Sequence, residues 1–257
     1  MDAGLRVFLT RSAVNLEVMG SPARRRFAGA VPAGLVATLV IGLVTGCSDD
    51  GGAPAATTSA APKPSLPVAP GGTFGYAASR ETDPDPLTLN EIFGRSRFKS
   101  NGRSYKMTVR EMEKKDCKDA VTGEKLQKAL KAAGCNQLAR ASFHDAKGTV
   151  IGTVGVANLK TSKGAKSVAG AGAGKERKDY LKPLAGDDDH TKELGDGEAY
   201  AGGWTHGHYA ILLWFQFKDG HAPKKAELKR LYQAAVDITD ATVFTALDTR
   251  SVRGGRG

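Results

Sequence analysis

Residues 198–217, EAYAGGWTHGHYAILLWFQF, carry the pattern that decides the fold. From Tyr209 to Phe217 the side chains are apolar except for Gln216. The run is nine residues long, too short for an ordinary helix and rich in aromatic and branched residues. Such a run reads as a strand buried on both faces. Gly202-Gly203 and Gly207 break the stretch before it, so the whole segment reads as a hairpin.

Upstream, QLARASFHDAKGTVIGTVGVANL (137–159) reads as two strands around a turn at Asp145-Ala146-Lys147-Gly148. RFKSNGRSYKMTV (97–109) is a third hairpin. Its turn is Asn101-Gly102, two residues that both tolerate positive φ, and Tyr105, Met107 and Val109 alternate as on a half-buried strand. Between these hairpins lie helical spacings. Val121, Leu126, Ala129, Leu130 and Ala133 precede a stop at Gly134. Residues 161–174 are Ala- and Gly-rich and helix-like but weak, because each interior Gly costs about 1 kcal/mol against Ala. Leu228, Leu231, Ala235, Ile238 and Thr242 step along a helix after Pro223, and the tail beyond Arg250 reads as frayed. Hairpins alternating with helices predict an α+β domain over 87–257: an antiparallel sheet with helices packed on one face.

The chain before this domain reads differently. Arg24-Arg25-Arg26 precede an apolar run from Phe27 to Thr45, the layout of an export signal, with Met1 or Met19 as its start. The run ends Val44-Thr45-Gly46-Cys47. That ending resembles the bacterial lipobox, in which the cysteine receives diacylglycerol after cleavage before it. Residues 1–47 are therefore predicted to be a signal with Cys47 as the lipid attachment site. The alternative is a single membrane-spanning helix with the arginines inside. Residues 48–86 are mostly Ala, Pro, Ser, Thr, Gly and Asp and read as a disordered tether, because they cannot bury enough apolar surface to offset ordering entropy.

The 257 residues carry a formal charge of +10, of which +7 belongs to residues 47–257. The basic residues are scattered and few aromatics lie among them, which excludes a nucleic-acid footprint. An anionic envelope polymer or an envelope protein fits the charge and the address.

Few groups point to chemistry. Cys117 and Cys135 bracket one short helix, and outside the cytoplasm such a pair is expected to form a disulfide. His206 and His208, with Asp187-Asp188-Asp189-His190, have the residue types of a metal site. Gly207 between the two histidines instead marks a turn that fixes no geometry, so no metal is assigned. Residues 184–197, which hold those aspartates, read as an acidic surface loop. Ser96-Arg97-Phe98-Lys99 matches SxxK, yet it precedes a hairpin and lacks the partner motifs of that chemistry. GAGAGKE (170–176) departs from a phosphate loop at two positions. His144 and His221 lie at turns and read as solvated. No catalytic residue and no cofactor is assigned.

The stretches CKDAVTGEKLQKALKAAGCNQLARASF (117–143), GTVIGTVGVANLKT (148–161) and GHYAILLWFQF (207–217) resemble a family of secreted proteins of Streptomyces and related actinomycetes, described as lipoproteins or membrane proteins. The likeness covers about residues 87–250. It implies location and architecture and transfers no catalytic residue. The expected function is a lipid-anchored, non-catalytic binding domain at the outer face of the cytoplasmic membrane. The alternative is an envelope hydrolase.

Overall fold

The computed structural model describes residues 72–114, 116–174 and 178–255. Three hairpins build one sheet: β1 (Arg97–Ser100) with β2 (Arg103–Lys114), β4 (Gln137–Asp145) with β5 (Val150–Asn158), and β7 (Ala199–His206) with β8 (Tyr209–Phe217). The order across the sheet is β1-β2-β4-β5-β8-β7, antiparallel throughout. Asn101 and Gly102 hold φ of 48° and 77°, the conformation that a two-residue hairpin turn demands and that their side chains permit. A bulge between Met107 and Val109 interrupts β2, so the strand's alternation does not persist past Met107.

Short helices fill the connections. α1 (Leu89–Phe93) is closed by a capping box between Thr88 and Glu91. A two-stranded pair, β3 (Val121–Thr122) with β6 (Tyr180–Leu181), flanks α2 (Glu124–Ala132), and α3 (Ser162–Gly172) follows β5. The Thr161 hydroxyl caps α3 by accepting the Gly164 N–H. After β8, α4 (Lys225–Thr239) passes through a π-helical turn (Asp240–Phe244) into α5 (Thr245–Arg253). The predicted single helix is thus two, and its end is not frayed. Arg250 in α5 is 2% exposed.

The α+β class and the antiparallel sheet of hairpins stand, but the helices cover both faces of the sheet rather than one. Odd-numbered residues of β8 (Tyr209, Ile211, Leu213, Phe215) pack with Val154, Val156, Phe143 and the Leu231, Ala235, Ile238, Val243 and Leu247 side chains of α4–α5. The even-numbered Ala210 and Leu212 pack with Leu138, Ala157 and the Leu126, Leu130, Ala165 and Val168 side chains of α2 and α3. A strand apolar on both sides requires two covers, each leucine-sized side chain contributing about 1.5–3 kcal/mol when buried. The small residues of α3 allow the second cover to sit close: a Cβ on Gly203 of β7 would strike the Ala169 backbone. Packing therefore outweighs the weak helix propensity of 161–174.

Residues 72–86, placed by composition in the tether, are part of the fold. Ala77 and Asp83 are buried, Ser79 bridges to Thr161, and the Arg80 guanidinium donates to the Asn158 side chain at 3.0 Å and to the Gly134 carbonyl at 2.8 Å. Specific hydrogen bonds rather than apolar bulk hold this segment. Residues 184–197 likewise form a cover over the sheet instead of a solvated loop. Thr191 and Leu194 are buried, Ser142 donates to the Leu184 carbonyl, and Gln216 accepts the Gly195 N–H.

Candidate functional site

The residues singled out in the sequence scatter. Cys47 lies outside the described residues. Cys117 and Cys135 are joined in a disulfide with Cα atoms 6.2 Å apart, which ties the lead-in of α2 to its end. His206 and His208 do not converge. The register pairs His206 with Tyr209, leaving Gly207-His208 as a two-residue turn with Gly207 at φ 56°. His206 faces α5, its Nε2 2.8 Å from the Ser251 hydroxyl, whereas the His208 Nδ1 donates to the Ala77 carbonyl at 2.9 Å. Burial holds both rings below the ordinary imidazole range, His208 at about 4. Asp187–Asp189 belong to the cover formed by 184–197, where Asp188 accepts from the His190 and Thr191 N–H groups. Ser96 and Lys99 are exposed beside and on β1. His144 is buried, not solvated. His221 is bound to Asp219, whose carboxylate raises its pKa.

The Ser251–His206 contact has the residue types of a nucleophile and its base but not their arrangement. Ser251 donates to the Leu247 carbonyl at 3.0 Å, and Asp248 stands 4.0 Å from the same Nε2 that faces the serine. A triad places its carboxylate on Nδ1. Among the described residues no group of three or more His, Cys, Asp and Glu could hold a metal ion.

A concavity lies elsewhere, between α1 and the π-turn with α5, with a volume of about 500 Å³. One end is built by Arg250. Its guanidinium donates to Asp83 Oδ1 (2.9 Å), both Glu91 oxygens (2.5 and 3.0 Å), the Asp85 and Pro86 carbonyls (2.9 Å each) and the Tyr209 hydroxyl (3.1 Å). Tyr209 in turn donates to Asp83 Oδ2 at 2.6 Å. Burial alone would lower the Arg250 pKa, but Glu91, Tyr209 and Asp83 hold it above its ordinary value. This network fixes residues 83–91 against α5 and so sets the width of the groove.

The other end of α1 is pinned by Arg110, which donates to the Phe93 carbonyl at 2.8 Å and to the Asn90 side chain at 3.0 Å. The opposite wall presents Thr242, Thr245 and Thr249. Each hydroxyl proton is given to a carbonyl of its own helix: Ile238 at 2.6 Å, Asp240 at 2.8 Å and Thr245 at 3.0 Å. The oxygens of the exposed Thr245 and Thr249 therefore face outward as acceptors. Arg95 and Arg253 also line the groove, both exposed, and their side chains make no hydrogen bond or ion pair with another described residue. Glu91, the groove's carboxylate, is already bound to Arg250. The free charge on the walls is positive. The groove combines two cationic donors with a row of hydroxyl acceptors, which suits holding an acidic, hydroxyl-bearing chain. No acid and base are paired to move a proton.

Sequence reasoning missed this site because nothing local marks it. Asp83 and Arg250 are 167 residues apart, and the π-turn has no sequence signature within a smoothly amphipathic helix. The one available signal was the spacing of small residues after Ile238, where Ala241, Thr242, Thr245, Ala246 and Thr249 leave a helix face without large side chains. No protein-family model, curated protein or solved structure matches the chain.

Proposed function

We propose that the chain is a lipid-anchored, extracytoplasmic binding protein whose α1–α5 groove holds an acidic, hydroxyl-bearing polymer of the cell envelope without catalysing a reaction on it. The observation that carries this reading is the pair of arginines, Arg95 and Arg253, that have no partner among the described residues, in a groove whose other charges are already matched. Arginine forks suit carboxylates and phosphates along such a polymer. The address is supported by the basic-then-apolar start that ends at Cys47 and by the Cys117–Cys135 disulfide, a feature of oxidising compartments. Among the described residues no helix is long and apolar enough to cross a membrane. Cys47→Ala should leave the protein out of the membrane fraction and unlabelled by radioactive fatty acid. Unchanged processing and labelling would favour the membrane-spanning helix instead.

The groove is tested with full-length protein and immobilised polygalacturonate at low ionic strength. Charge-assisted hydrogen bonds contribute about 1.5–3 kcal/mol each, so Arg95→Ala with Arg253→Ala should weaken retention at least about tenfold. The unfolding midpoint should not move, since both side chains are exposed. Lys125→Ala with Lys128→Ala removes the same charge from α2 and should lose far less. Equal losses in the two double variants would mean that net charge, not the groove, drives binding.

A further inference from the structure

On the other side of the sheet, at its β1–β2–β4 end, lies a second concavity of about 460 Å³ that includes Arg97, Lys99, Ser104, Lys106 and His144. The pairings Arg97↔Lys106, Lys99↔Ser104 and Lys106↔His144 put all five side chains on one face. None of its lining residues is acidic. The side chains of Arg97, Lys99 and Lys106 make no hydrogen bond or ion pair with another described residue. The nearby Asp188 carboxylate is occupied by the His190 and Thr191 N–H groups and the Thr191 hydroxyl. Asp145 is taken by Thr149, Val150 and Arg230.

His144 adds a separate observation. The residue is 7% exposed and its ring lies against that of His190, with centroids 4.3 Å apart. Its Nδ1 sits 2.6 Å from the Asp145 carbonyl oxygen. That oxygen can only accept, so in the neutral ring Nδ1 carries the proton and Nε2 presents a bare lone pair. Nε2 is buried and has no hydrogen-bond partner among the described residues. Buried polar atoms are nearly always satisfied, and an unpaired one at the wall of a cleft points to a missing donor. Its cross-strand neighbour Lys106 lines the same cleft, is exposed and makes no hydrogen bond or ion pair with another described residue.

The cleft thus asks one ligand for two things: anionic oxygens for Arg97, Lys99 and Lys106, and a hydroxyl proton for Nε2. We propose that it is a binding site for the inorganic hydrogen phosphate ion, which keeps one P–OH at pH 8, where phosphate monoesters, with a second pKa of about 6, are dianions without one. Sulfate and phosphodiesters carry the charge but no proton to donate. The site is independent of the α1–α5 groove.

The test is calorimetric titration of the full-length protein at pH 8 with inorganic phosphate, glycerol phosphate, sulfate and dimethyl phosphate at matched ionic strength. Inorganic phosphate should bind one to one, at least about tenfold more tightly than sulfate or dimethyl phosphate, as expected for one buried hydrogen bond gained. Glycerol phosphate, a dianion without a P–OH at pH 8, should bind as weakly as sulfate, and binding as tight as that of inorganic phosphate would overturn the role of Nε2 as acceptor of a P–OH proton. Lys106→Ala, at an exposed position, should weaken phosphate about tenfold, and His144→Phe should erase the preference over sulfate. Equal affinity for phosphate and sulfate, or phosphate binding untouched by Lys106→Ala, overturns the proposal. Arg95→Ala with Arg253→Ala should leave phosphate binding intact, so a failure of the groove reading and a failure of this one give different results.

Discussion

Arg250→Met should lower the free energy of unfolding by about 3–5 kcal/mol, the range for removing one partner of a buried ion pair. Methionine fills much of the same space, so the loss is electrostatic rather than a cavity. Asp83, fully buried, would keep only the Tyr209 hydroxyl on its side chain, and the Asp85 and Pro86 carbonyls would lose the N–H donors that hold them. Segment 83–91 should loosen first, because four of its residues depend on that one guanidinium. Urea unfolding of the two proteins decides the matter. Lys128→Met is the comparison: its ion pair with Glu124 is a surface i,i+4 contact with both side chains at least 75% exposed, and its removal should change stability by less than about 0.5 kcal/mol. A loss below about 1 kcal/mol for Arg250→Met would mean that the N-terminal segment is not held by this network.

Stability should also fall as the pH drops from about 6.5 to about 4, and His208 should account for most of the fall. The ring is fully buried against Ala77, and burial holds it neutral down to about 4 against the ordinary 6.5. The unfolded chain therefore binds a proton in this window that the folded chain does not, so stability is complete above 6.5 and is lost on acidification. The loss can reach about 3 kcal/mol. His206, lowered by burial as well, acts in the same direction. The carboxylates of Asp145, Asp188 and Asp237 are held down by their hydrogen bonds despite burial, so their contributions persist until the pH is below 3.8. They leave the upper window to the histidines. Denaturant melts from pH 7.5 to 4 should show the slope in the parent and a flatter curve in His208→Asn. Parallel curves would place the acid sensitivity elsewhere.

The sheet was largely legible because its signals are local. Asn101-Gly102 sets one turn by its own φ preferences, Gly134 ends α2 at φ 63°, and the Tyr209–Phe217 run announces burial on both sides within nine residues. That run already implied two covering layers, and the expectation of a single helical face gave too little weight to it. What escaped are the parts held by pairs distant in sequence. Segment 75–86 contains little apolar bulk, and its burial rests on Arg80 with Asn158 and Asp83 with Arg250. Residues 184–197 look solvated because Asp187, Asp189 and Asp196 are exposed, while Thr191 and Leu194 between them are the side chains that pack. Asp237 shows the same limit. In sequence it is one acid on a helix, but in the fold it accepts from Arg103, Asn101, Tyr105 and Gln233 and pins the first hairpin to α4. The α1–α5 groove is lined from such distant segments, and the second cleft joins His144 to a single hairpin, so neither had a motif to find.

The most direct test of the binding function is hydrogen–deuterium exchange of the full-length protein with and without soluble polygalacturonate. Protection should appear in peptides covering residues 86–95 and 241–255, the two walls of the groove, and should disappear in the Arg95→Ala, Arg253→Ala protein. Saturating polymer with no protection in those two segments, or with protection confined to the β1–β2 edge, would contradict the assignment of the groove as the polymer site.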